Sequence, residues 1–206
     1  MDKDYNKAEE ITCAIISGIG GILSIAGMII FIIKESNPLN ITLSVLTFTS
    51  MIIYYISSTL YHALADNRGK QTFYYITKSF ASLELTMIID LISICFLKGV
   101  LGWIIFGIST TLGILAIIFA SIPKQSFTKT WFILNCIVGI NFLFILFPYI
   151  KITHSIAWIL LSITITCAVL GTVFYSIKVK YFHIISHSTY LIGLISLFFI
   201  LFYYFI

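Results

Sequence analysis

A chain of 206 residues with 60% hydrophobic side chains, only 10% charged ones and a mean hydropathy of +1.07 lacks the polar surface that a soluble domain requires. Its net charge of +4 does not point to nucleic acid, because the basic residues stand singly or in small groups between long apolar runs, where they act as topology signals. The four cysteines, Cys13, Cys95, Cys136 and Cys167, fall inside apolar stretches without paired spacing, so neither a disulfide framework nor a thiolate zinc site is expected, only buried free thiols.

Covering about 30 Å of hydrocarbon at about 1.5 Å per residue takes about 20 apolar residues in a helix. The first such run, 11–33, follows Lys7, Glu9 and Glu10 and is too long and uncut for a signal peptide. Glu10 is expected to cap this helix or pair with a lysine, and Ala14, Gly18, Gly20 and Gly21 give it a surface of small residues for close packing. After Asn37 and Pro38 the second run, 41–63, ends in Ser57, Ser58, Thr59 and His62. The third, 79–97, is preceded by Thr77 and Lys78 and carries Glu84 and Asp90. Ionisable groups at membrane depth point to function, but these two stand six residues apart, about 240° around a helix, and cannot both face one narrow site.

The fourth run is 100–121, and Pro123 lies in the connection that follows it. The fifth, 131–149, is closed by Pro148, and the sixth is 155–176. The seventh, 183–206, begins with His183 and His187 and ends in Phe202, Tyr203, Tyr204 and Phe205, an uncharged aromatic anchor. Trp103, Trp131 and Trp158 lie near span ends and suit interfacial anchoring, while Asn135, Asn141, Thr164, Thr166, Ser57 and Thr59 are expected to hydrogen-bond between helices. Runs of this length exceed strands, and a membrane barrel would alternate in polarity, so the expected fold is an all-α seven-transmembrane helix bundle forming a single domain, 1–206.

Orientation follows from lysine and arginine. The N-terminus and the even-numbered loops hold Lys3, Lys7, Arg68, Lys70, Lys78, Lys124, Lys129, Lys178 and Lys180, against Lys34, Lys98 and Lys151 on the other side. The N-terminus is therefore expected in the cytoplasm and the C-terminus outside. His62, His183 and His187 then fall at the cytoplasmic ends of their spans, and His154 on the outer side. His183 and His187, four apart, stack on one helix face at a spacing that lets both reach one metal ion, and His62 closes the second span at comparable depth. Three neutral imidazoles with one open position make a catalytic zinc arrangement, and Ser58, one turn before His62, stands where it can hold the water.

From Glu10 to the end the chain resembles the bacterial hemolysin III family, relatives of the progestin and adiponectin receptors. The resemblance lies in Glu9-Glu10-Ile11 to Gly18-Ile19-Gly20, in Ser57-Ser58-Thr59-Leu60-Tyr61-His62 and in His183 through His187. It implies seven spans in the plasma membrane of a bacterium, a cytoplasmic N-terminus and zinc held by His62, His183 and His187. The chain departs from the family where an Asp thought to hold the zinc-bound water is replaced by Thr77, where a frequent His is Lys78, where a first-span His is Ser17, and over Leu85 through Ser93. A threonine hydroxyl orients water but is no general base near neutral pH, so Glu84, two turns on from Thr77, becomes the expected replacement acid.

Two functions follow. The family's kinship to ceramidase-like enzymes implies a zinc hydrolase of a lipid amide or ester. The alternative is a non-enzymatic protein, a pore-forming cytolysin assembled from several copies or a membrane-homeostasis factor, with zinc as a structural clip. A receptor-like role rests on remote kinship alone, and the short loops leave little room for a ligand domain. Membrane lipids are the expected partners in each case.

Overall fold

The computed structural model of the protein describes residues 6–65, 68–97, 99–149, 155–177 and 179–205; Lys3, Lys98, Lys151, His154 and Lys178, and the side chains of Pro148, Tyr204 and Phe205, lie outside what is described. Among the described residues the chain is all helical: α1 Lys7–Lys34, α2 Pro38–Ala63, α3 Arg68–Ile92, α4 Gly99–Ser121, α5 Gln125–Tyr149, α6 Ser155–Ser176 and α7 Phe182–Phe205, with a π-helical turn at Ser93–Leu97 prolonging α3. Five of the helices, α1, α2, α4, α6 and α7, contain a stretch long and apolar enough to cross a membrane. In α3 the apolar run is interrupted by Lys78, Glu84 and Asp90.

The helix ends are set by local chemistry. Asn6 begins α1, its backbone N–H donating to the Glu9 carboxylate at 3.0 Å, and Asn37 caps α2 by accepting from the Leu39 N–H at 2.9 Å, with Pro38 in the first turn where its missing N–H costs nothing. Two helices start earlier than apolarity indicates: α3 at Arg68 and α5 at Gln125. Polar residues such as Lys and Gln are good helix formers, so the helices run on past the apolar boundary. Lys70 and Lys78 therefore lie on α3, where both are buried, and Lys129 on α5.

Among the described residues, consecutive helices pack together from α1 to α5 and α6 packs on α7, with α1 also against α7 and α3 also against α5. On α1 the inward stripe is Cys13, Ser17, Gly20, Gly21, Ser24, Gly27 and Phe31, while Ala14 and Gly18 sit half-buried at its margin. Small residues there let α2 come close: Tyr55 lies directly over Gly20, and a Cβ on Gly27 would stand 2.7 Å from the Phe48 ring. With lipid as apolar as leucine, such close packing replaces the hydrophobic drive of a soluble core. Phe31, Phe48, Met51, Tyr55, Ile89 and Leu197 fill the centre of that core.

Hydrogen bonds between helices come from other residues than expected. Ser57, Thr59, Asn135 and Thr164 all donate back to carbonyls of their own helices. The links are instead made by Thr47 to the Met87 carbonyl, Ser186 to the Gly171 carbonyl, Ser196 to the Leu160 carbonyl, and Thr172 with Tyr190. Trp131 is a buried strut, not an interfacial anchor, its indole N–H donating to Ser82 at 2.7 Å with the Lys78 ammonium 4.6 Å above its ring. Trp103 is exposed.

The Gly20 contact gives a direct check. Gly20→Ala is expected to destabilise the bundle by about 1–3 kcal/mol through overpacking against Tyr55, whereas Gly18→Ala, whose new methyl meets open space, leaves thermal unfolding in detergent unchanged or slightly raised.

Candidate metal centre

The site forms where the start of α1, the end of α2, the start of α3 and the start of α7 come together. Glu9 and Glu10 occupy the first turn of α1. The Glu10 carboxylate accepts from His62 Nδ1 at 2.6 Å with one oxygen and from Lys70 Nζ at 2.7 Å with the other, so one side chain joins three helices. Glu9 accepts the backbone N–H of Tyr181, just before α7, and Tyr181 is held at φ 67°, the left-handed region that bulky residues rarely occupy. The Glu9 contact ties the start of α7 to α1 beside His183, while Glu10 ties α1 to α2 and α3.

The three histidines converge as their spacing indicates. The His62 ring centroid lies 5.2 Å from that of His183 and 5.1 Å from that of His187, and the two α7 rings are 4.7 Å apart. His183 Nε2 and His187 Nε2 stand 3.2 Å from each other. Glu10 holds Nδ1 of His62, so Nε2 is the nitrogen that a metal would take, the carboxylate-histidine arrangement that orients an imidazole toward a metal.

A fourth donor joins them. Cys13, the buried thiol of α1 for which no metal role was expected, offers its sulfur to the same group: one ligand atom from each of Cys13, His62, His183 and His187 lies within 4.8 Å of the others. Tetrahedral zinc with bonds of about 2.0–2.3 Å sets ligand atoms about 3.3–3.7 Å apart, so the four need only a small inward contraction, and imidazole and thiolate are donors zinc takes readily. Donor set and spacing therefore fit a zinc ion. Sequence spacing alone missed Cys13, although it lies one helical turn from Ser17, on the same inward stripe.

The residues expected to handle water are distributed differently. Ser58 is fully buried, and its hydroxyl is bonded to Ser17 at 2.9 Å, which links α1 and α2 one turn below the histidines. Thr77 is half-buried with its hydroxyl oxygen shielded and without a protein partner. Glu84 is not one of the clustered donors; its carboxyl instead lies near enough to Tyr54, Tyr55 and Tyr190 to act on all three electrostatically. Asp90, on the far side of α3, accepts from Ser109 and, at 2.8 Å, from Thr110 of α4, a fully satisfied helix-packing role. Lys78, where the family often has His, bonds Thr128 of α5 at 3.3 Å, with its ammonium 4.6 Å over the Trp131 ring.

Comparison with known proteins agrees with the motifs. No protein-family model matches the chain. It is 29% identical over 205 residues to the Hemolysin-3 homolog of Bacillus subtilis, across 95% of the chain and 94% of that protein. It is 31% identical over 201 residues to Hemolysin-3 of Bacillus cereus, across 95% of the chain and 91% of that protein. At 31% identity to Hemolysin-3 of Bacillus cereus across 95% of its length, the chain belongs to the hemolysin III family.

Proposed function

We propose that this protein crosses the bacterial plasma membrane seven times, N-terminus inside, and binds one zinc ion through His62, His183 and His187 near the inner leaflet, where the ion clamps α2 to α7. The observation that carries this reading is the convergence of the three imidazoles from two helices that are distant in sequence. Orientation is supported by charge. Lys7, Arg68, Lys70, Lys124, Lys129 and Lys180 lie at the end of the bundle that holds the histidines, with Lys34 at the other.

The chain's own residues prepare the site. Glu10 fixes the tautomer and angle of His62, Lys70 keeps that carboxylate ionised and in place, and the Ser17–Ser58 bond sets the spacing of α1 and α2 beneath. Bound zinc would supply a local positive charge and, if a coordination position stayed open, Lewis acidity toward a carbonyl or a water. The clamp is favoured over lipid hydrolysis because the clustered donors include no carboxylate to serve as base, Thr77 standing where the family carries Asp. Hydrolysis of a lipid amide or ester remains the second reading, supported by the unpartnered Thr77 hydroxyl, which is suited to hold a water. Dye leakage from liposomes tests the cytolytic role that the relatives' name, Hemolysin-3, suggests.

Metal analysis of protein purified in detergent is expected to find about one zinc per chain, and none after His187→Ala. Glu10→Ala, which removes the carboxylate from His62 Nδ1 and Lys70, is expected to weaken zinc binding about 10–100-fold in a competition titration with a chelator. Glu84→Gln is expected to leave zinc content unchanged; loss of the metal would instead put Glu84 in the site. Incubation with labelled lipids of several classes decides the second reading: zinc-dependent release of fatty acid establishes hydrolysis, and no release from any class removes it.

A further inference from the structure

The strongest unassigned feature is the thiol of Cys13. It is fully buried on the inward stripe of α1, and it is the one cysteine among those described that joins the histidines. Cys95 donates to Asn40 at 3.1 Å, Cys136 is exposed and Cys167 is half-buried, and none of the three is near the cluster.

We propose that Cys13 supplies the fourth ligand, so that zinc is held in a closed shell of one thiolate and three imidazoles and α1 is locked to α2 and α7. This rests on the zinc reading given above and goes beyond it by filling the remaining position. Charge argues for it. A divalent ion on three neutral imidazoles would leave two positive charges in a desolvated site, a costly state at membrane depth. Binding releases the thiol proton to solvent and leaves a thiolate on the metal, which halves that charge. The anionic group that α3 lacks at Thr77 is thus provided from α1. A closed tetrahedral shell has no vacant position for water, which makes the ion a structural clamp of three helices.

X-ray absorption at the zinc edge of the wild-type protein in detergent tests this without any activity measurement. The expected first shell is one sulfur at about 2.3 Å and three nitrogens at about 2.0–2.1 Å. Cys13→Ser is expected to keep the metal while losing the sulfur scattering, and the cobalt-substituted protein is expected to lose its thiolate-to-cobalt charge-transfer band on the same change. A wild-type protein that holds one zinc with nitrogen and oxygen neighbours only overturns the fourth-ligand proposal and leaves the three-histidine site standing. A protein that takes up no zinc overturns both.

Discussion

At one end of this bundle a single carboxylate ties three helices. Glu10 of α1 accepts from His62 of α2 and from Lys70 of α3, each within 2.7 Å, and the neighbouring Glu9 takes the backbone N–H that precedes α7. A carboxylate at the edge of an apolar bundle persists only when its oxygens are paired, because an unpaired charge removed from water is expensive. The pairing that meets this requirement also decides where imidazoles point. Turned by Glu10, the His62 ring faces the two α7 histidines, whose Nε2 atoms stand 3.2 Å apart. Two imidazole nitrogens that close, in a site this enclosed, need something shared between them, a proton or a metal ion, and the third ring with the Cys13 sulfur makes the metal the better match.

The rest of the fold can be understood as support for that junction. Its helices cannot rely on hydrophobic attraction in lipid, so α1 meets α2 through glycines and serines, with Tyr55 seated on Gly20 and Ser17 bonded to Ser58. The same demand for satisfied polar groups explains Asp90, which is fully buried and yet takes two hydroxyl donors from α4. It explains Trp131 as well, whose indole N–H reaches Ser82 and whose ring carries the Lys78 ammonium. None of these contacts touches the histidines, and each fixes a helix pair on which their alignment depends.

Much of this was legible in the sequence. Long apolar runs marked the helices, and the four-residue spacing of His183 and His187 put both rings on one face. Helix starts were less legible for α3 and α5, because hydropathy reports where lipid can be met and not where helical hydrogen bonding begins. Cys13 escaped because a lone cysteine in an apolar run has the same appearance whether it lines a core or a metal site; only the packing of α1 against α7 reveals its neighbours. Glu84 lies outside the clustered donors. Its place along α3 does not say which neighbours its carboxyl meets, and it lies near enough to Tyr54 and Tyr190 to act on them electrostatically.

The account depends on a metal at the meeting point of α1, α2 and α7. Anomalous diffraction from crystals of the purified protein, recorded on both sides of the zinc edge, observes that point directly. A single strong zinc peak enclosed by His62, His183 and His187 is expected. Well-ordered rings with no peak between them in zinc-supplied crystals, or rings turned apart toward lipid, would contradict it.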